Sequence, residues 1–194
     1  VYVGRGGKDM AFALRSVFGA LRRALDFQPS FRDKLRLHFI GTDYAPRGRA
    51  TKTVEPLARE FGLDELVIEQ TDRIPYFEAL QCLLDAEALI VPGSDDPGYT
   101  ASKLYPYILA KKPLLAIFHE QSSVVEILKQ TKAGTVVSFR TGESVESVAA
   151  GVEALRLRLH SEASLASVEH RRQVILLRCE NRAVETVLGH RVDD

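Results

Sequence analysis

The sequence predicts a doubly wound, Rossmann-like α/β fold: a parallel sheet of about six strands, helices on both faces, and closing helices at the C-terminal end. Three observations carry this. Strand-like and helix-like segments alternate along the chain, the order that parallel crossovers require. The runs Ala88-Leu89-Ile90-Val91 and Leu114-Leu115-Ala116-Ile117-Phe118 are apolar at every position, as strands covered on both faces are. The segments between the strands repeat their apolar residues at helical spacing.

Taken in order, Val1-Tyr2-Val3 is a short apolar, β-rich strand. Asp9 is the expected N-cap of a helix whose stripe is Leu14, Val17, Phe18, Leu21 and Leu25. A polar connection through Pro29 leads to a strand over Leu35–Ile40, closed by Gly41. After a loop containing Arg47-Gly48-Arg49 come a helix over Val54–Phe61 and a strand over Leu66–Ile68. The helix Tyr76–Leu84, carrying Leu80, Leu83 and Leu84, feeds the strand Ala88–Val91. Ser102 opens a helix to Ala110, Pro113 starts the strand Leu114–Phe118, and Ser122 opens a helix to Lys129. Gly134 precedes a last strand, Thr135–Phe139. Beyond it, Val145, Val148, Val152, Leu155 and Leu159 form one helical stripe. A second, highly charged helix carries Val168, Ile175, Leu176, Cys179 and Ala183, and no strand follows.

A length of 194 residues fits one domain with a real core, 1–194, of which 145–194 are the closing helices. The 26 cations equal the 26 anions, so no global field draws in nucleic acid or acidic lipid, and anion binding has to be local. No apolar run of the sequence approaches the roughly 20 residues of a membrane span or reads as a signal peptide. A chain that starts inside its first strand is expected to be a piece of something longer. Cys82 and Cys179 lack disulfide-framework or metal-ligand spacing, and Cys82 reads as a buried reduced thiol of a cytosolic protein.

Ligands of doubly wound folds bind beyond the carboxyl ends of the strands, at the switch in strand order. That directs attention to Gly4–Lys8, Gly41–Arg49, Gln70–Tyr76, Pro92–Lys103 and His119–Ser123. The first of these, Gly4-Arg5-Gly6-Gly7-Lys8, is no dinucleotide fingerprint, because Asp9 stands where the third glycine belongs. Nor is it a P-loop, which needs Gly at Tyr2 and Ser or Thr at Asp9. Two readings remain: Arg5 gripping a phosphate bidentately beside the Lys8 point charge, or a tight turn with solvated cations.

In Gly93-Ser94-Asp95-Asp96-Pro97-Gly98 the carboxylates are turn residues first, ligand-hydroxyl acceptors second, and metal ligands without partners third. Thr100 or Ser102 caps the next helix, and Lys103 in its first turn is unfavourable with the helix dipole unless an anion binds beside it. The alternative is a lysine extended into solvent. Arg47 and Arg49 belong to a solvated loop or reach a diphosphate. His38 and His119 read as satisfied residues, with His119 on the ligand side.

The stretches YVGRGGKDM, LHFIGTDY and DRIPYFEALQCLLDAEALIVPGSDDPGYTASKLYPYILAKKPLLAIF resemble the C-terminal, donor-binding domain of GT-B glycosyltransferases, of the family 4 kind. The likeness spans about Val1 to Phe139, and SKLYPYILAKKPLLA is its most specific part. It implies a domain that binds a UDP- or GDP-sugar, with the acceptor held by an N-terminal domain of the same polypeptide, and no metal or other cofactor. It implies that Arg5 and Lys8 neutralise the diphosphate, helped by Gly4, Gly6 and Gly7, and that Ser102 and Lys103 lie beside the phosphates. Arg73-Ile74-Pro75 match the segment whose backbone contacts the nucleobase. Asp95, Asp96, Gly98, Tyr99, Thr100 and Tyr105 complete the donor set.

One departure stands out: the family's two glutamates, separated by seven residues, fall here on Gly98 and Pro106. Asp95 or Asp96 is the stand-in for the first, and Tyr105 or Tyr107 for contact with the ribose. By this reading Arg5, Lys8 and Lys103 are the groups that assist transfer, and this domain alone binds donor weakly and transfers nothing. The expected location is the cytoplasm, with the whole enzyme peripheral at the inner membrane face as a variant. A degraded, non-catalytic binding module and a sugar-nucleotide epimerase are the competing readings.

Overall fold

The computed structural model describes residues 1–45 and 49–153. Arg47, Gly48, the stripe residues Leu155 and Leu159, and the expected last helix with Cys179 lie outside the described residues.

The strands are β1 (Tyr2–Val3), β2 (Leu37–Ile40), β3 (Val67–Gln70), β4 (Leu89–Pro92), β5 (Leu114–His119) and β6 (Thr135–Phe139). Between them run α1 (Ala11–Phe27), α2 (Val54–Glu60), α3 (Tyr76–Asp85), α4 (Leu104–Leu109) and α5 (Ser123–Thr131), and residues 145–153 are helical (α6). The alternation follows the expected order. Helix α1 buries Leu14, Val17, Phe18 and Leu25, four of the five residues of the expected stripe, and leaves Leu21 half-buried. Strand β4 is buried at all four positions, so neither face meets water. Helix α5 is opened by Ser122, whose hydroxyl accepts the Val124 N–H.

All pairings are parallel, but the strands form two three-stranded sheets, β1-β2-β3 and β4-β5-β6, and not one sheet of six. The two meet along β1 and β4, where the Ile90 N–H donates to the Val1 carbonyl at 3.0 Å. At Val3, where pairing would continue, both backbone groups are taken by one side chain. The Val3 N–H donates to the Tyr107 hydroxyl at 2.7 Å, and that hydroxyl donates to the Val3 carbonyl at 3.0 Å. A buried phenol from α4 thus wedges the two edges apart, and burial holds its pKa above the ordinary tyrosine value.

Tyr107→Phe removes the bridging hydroxyl from a buried N–H and C=O, a loss of about 1–3 kcal/mol. The variant is expected to unfold at a correspondingly lower urea midpoint with unchanged slope. An unchanged midpoint would show that the wedge contributes nothing.

The chain winds outward from β1 to β3, then jumps to β4 and winds the other way. Parallel crossovers are right-handed, so α1 and α2 cover one face and α3, α4 and α5 the other. Helix α6 returns to the α1 side, where a Cβ on Gly19 would lie 3.4 Å from Ala149. The reversal between β1 and β4 leaves a crevice beyond their carboxyl ends, and the loops after β1, β2, β3 and β4 border it.

Candidate functional site

Backbone hydrogen bonds tie these loops together. Gly6 N–H donates to the Thr42 carbonyl at 2.8 Å, joining the β1 and β2 loops, and Asp95 N–H donates to the Asp9 carbonyl at 2.9 Å, joining the β1 and β4 loops. A Cβ on Gly6 would come within 3.0 Å of the Thr42 and Thr53 side chains, so this glycine serves close packing against the β2 loop and α2. Gly4 has φ +152°, and a Cβ there would sit 2.9 Å from the Lys103 Nζ. Gly4 therefore makes room for the lysine.

Tyr2, wholly buried on β1, is the hub. Its hydroxyl donates to the Arg5 carbonyl at 2.6 Å and accepts from the Lys103 Nζ, which also lies 4.4 Å from the centre of its ring. Burial holds the phenol protonated, with its pKa well above the ordinary value. Lys103 is half-buried, and its pKa falls to about 7. Desolvation is the main cause, the Arg5 and Arg73 charges add to it, and Asp9 opposes it.

Arg5 grips Asp9 through two bonds of 2.7 Å each. That bond raises the guanidinium's pKa and lowers that of Asp9, which also takes a hydrogen bond from Ser94. Asp9 is therefore not the helix cap expected of it. It lies in a 3-10 turn, Lys8–Met10, and Met10 occupies the cap position without a side-chain bond. The Arg5 guanidinium also lies 5.8 Å from the Tyr99 ring centre, and Tyr99 stacks on Phe118 at 6.4 Å and 15°. The exposed Arg73 lies across the crevice, its guanidinium 4.4 Å from the centre of the Tyr44 ring.

Arg5, Lys103 and Arg73 thus gather at one crevice although the sequence separates them by up to 98 positions (103 − 5). Lys8 is exposed in the 3-10 turn and takes no part in this electrostatic cluster. Ser102 and Thr100 are exposed and cap nothing: α4 starts at Leu104, Lys103 holds the cap position, and no side chain bonds the helix end. At six residues α4 has little dipole to offer. Asp95 and Asp96 are exposed turn residues. The Asp96 carboxylate accepts the Gly98 N–H at 2.9 Å, and its own N–H donates to the Ser94 hydroxyl at 3.1 Å. Ile74 is half-buried beside Arg73, and Tyr105 is 56% exposed on α4. Tyr107 cannot serve a ribose, since its hydroxyl is committed to Val3. His119 is satisfied: its Nδ1 accepts the Gln121 N–H at 3.3 Å, which leaves Nε2 to donate to Thr141 at 3.2 Å. No metal-holding group of three or more His, Cys, Asp or Glu occurs among the described residues, nor a helix long and apolar enough to cross a membrane.

Sequence reasoning missed Tyr2, Tyr44 and Glu69. Glu69 is buried on β3, and its carboxylate accepts the Thr42 hydroxyl at 2.6 Å and the N–H groups of Thr53, Val54 and Glu55 at 2.9–3.0 Å. It caps α2 from another element, and Thr53 passes the link to Gly6 by donating its hydroxyl to the Gly6 carbonyl. The signal was present: Val67 and Glu69 share the buried face of a two-residue period.

The crevice can be set beside known structures. No protein-family model matches the chain, and no curated protein matches it in sequence. Among solved structures it is similar to "WaaG, a glycosyltransferase involved in lipopolysaccharide biosynthesis", with a TM-score of 0.50 and 20% identity over 96% of this chain. In fold, the chain resembles part of a glycosyltransferase. The match spans 45% of that structure's chain. Within that likeness the Lys103 ammonium sits beside a buried phenol and feels the charges of Arg5, Arg73 and Asp9, the last already paired with Arg5.

Proposed function

We propose that this chain is the donor-binding part of a GT-B glycosyltransferase and that its crevice accepts the diphosphate of a UDP- or GDP-sugar. The observation that carries the reading is the meeting of Arg5 with a half-buried Lys103 whose charge is disfavoured by desolvation and by the Arg5 and Arg73 guanidinium groups. A polyanion supplies what that lysine lacks. When the bond between the anomeric carbon and the phosphate oxygen breaks, negative charge grows on the leaving diphosphate. Cations held in place beforehand stabilise that charge without reorganising.

Asp9 holds the Arg5 fork by two hydrogens and Tyr99 takes a further bond, which leaves at most two of the five guanidinium hydrogens for a ligand. Tyr2 fixes the Lys103 ammonium by one hydrogen, leaving two. The acceptor, in this reading, is held by an N-terminal domain of the whole protein, and chemistry takes place between the two. Lys8, exposed, is left to long-range attraction at most. A second reading, a donor-binding module that no longer catalyses, draws on Gly98 and Pro106 at the glutamate positions and on the exposure of both Asp95 and Asp96.

Titration of the chain with UDP, GDP and their sugars by calorimetry tests the proposal. A charge-assisted hydrogen bond is worth about 1.5–3 kcal/mol, so Arg5→Ala is expected to weaken binding about 10- to 150-fold. No binding by the wild-type chain, or equal binding by a folded Arg5→Ala variant, rejects it. Transfer assays on the whole protein separate the two readings.

A further inference from the structure

We infer that Tyr44, backed by Arg73, is a stacking platform for the planar base of the nucleotide whose diphosphate the crevice takes. The inference rests on the donor reading above and adds to it a residue and a direction.

The loop after β2 brings Tyr44 to the crevice rim, on the side of β1 away from β4. Its ring is large and apolar, yet it stays 67% exposed. The Arg73 guanidinium lies over the ring, 4.4 Å from its centre. A cation on one side of an aromatic ring holds the ring in place and depletes its π-density, which favours stacking of another planar group on the open side. The backbone around it is held as well. The Asp43 carboxylate accepts the N–H groups of Tyr44 at 2.6 Å, Ala45 at 3.1 Å and Thr51 at 2.8 Å, and these bonds hold its pKa below the usual value.

The platform is continuous with the cation cluster. Arg73, which lies over the Tyr44 ring, also acts electrostatically on Lys103. Thr42, two residues before Tyr44, is hydrogen-bonded to Gly6, the residue after Arg5. A ligand with its diphosphate between Arg5 and Lys103 therefore has an aromatic surface within reach on the β2–β3 side, where a base would extend. Stacking on one ring tolerates every base, so Tyr44 contributes affinity for nucleotides as a class and leaves the choice among bases to other groups.

Three probes test this by calorimetry on the chain: UDP, GDP and inorganic pyrophosphate. The wild type is expected to bind a nucleoside diphosphate more tightly than pyrophosphate. Tyr44→Ala is expected to cut nucleotide affinity about 5- to 150-fold and to leave pyrophosphate affinity unchanged, while Tyr44→Phe keeps both. Because Tyr44 is exposed, the alanine variant folds, and circular dichroism verifies that. Equal losses for nucleotide and pyrophosphate, or no loss for either, overturn the platform alone. A wild type that binds pyrophosphate as tightly as UDP and GDP does the same. A wild type that binds none of the three removes the diphosphate reading itself, and the platform with it.

Discussion

Lys103→Met is expected to make the protein more stable at pH 6 and to make it lose most of its affinity for UDP. The two effects share one cause. In the folded chain the Lys103 pKa is about 7, against an ordinary 10.5, because the ammonium is desolvated and faces the Arg5 and Arg73 charges, which Asp9 offsets in part. Between those values the unfolded chain holds a proton that the folded chain does not. Stability contributed by this group therefore rises as pH increases from 7 to 10.5, and it is lowest below 7.

Methionine keeps the apolar stem against Tyr2 and carries no charge, so its advantage in urea midpoint is expected to be largest at pH 6 and to fade by pH 10. Binding runs the other way. A diphosphate favours the charged lysine, so wild-type affinity is expected to fall as pH rises above 7 and binding near pH 8 to take up a proton. UDP suits the measurement because its terminal phosphate, with a second pKa of about 6, is already ionised there. Calorimetry in two buffers of different ionisation enthalpy reads the uptake directly. A Lys103→Met variant that is less stable at pH 6, or that retains the wild-type pH slope, would sink the assignment.

The second large effect concerns a residue that need not touch any ligand. Glu69→Ala leaves the Thr53, Val54 and Glu55 N–H groups and the Thr42 hydroxyl without their acceptor. Each buried donor left unmet costs about 1–3 kcal/mol, and some of these will find water once α2 loosens. A total loss of about 3 kcal/mol or more is expected, seen as a lower urea midpoint. Glu69→Gln keeps the shape but turns an N–H₂ toward N–H donors, and it is expected to fall between wild type and alanine.

The network also holds Gly6 through Thr42 and Thr53. Pyrophosphate affinity should therefore drop in Glu69→Gln under conditions where the protein remains folded. A stability loss with no change in affinity would confine Glu69 to a structural part. Arg5→Ala differs in the opposite sense: it removes a half-buried ion pair between neighbours in one loop, and its larger effect is expected on binding.

How much of this was legible before the fold was known varies by residue. The α1 stripe and the all-buried β4 were plain because each rests on a local period that the neighbours hardly alter. Arg5 and Lys103 stood out as cations at strand-to-helix junctions. Asp9 was misread, because a carboxylate before a helix and a carboxylate paired with a guanidinium four residues back look alike in one dimension. Ser102 was misread as a cap because the cap position of helix α4 falls one residue later, on Lys103. Glu69 was passed over because the donors it serves lie 14 to 27 positions away, on α2 and on the β2 loop.

By itself the sequence determined the alternation of strands and helices, the parallel winding that follows from it, and the set of loops at the carboxyl ends of the strands. These depend on hydrophobic periodicity and crossover length, which are properties of neighbouring residues. Tertiary structure alone decided that Tyr107 splits the sheet, that Tyr2 joins Arg5 to Lys103, and that the lysine loses its preference for charge. The reason is physical: a proton's affinity and a hydroxyl's partner are set by whatever surrounds them in space, and strand order brings together groups that the chain keeps far apart.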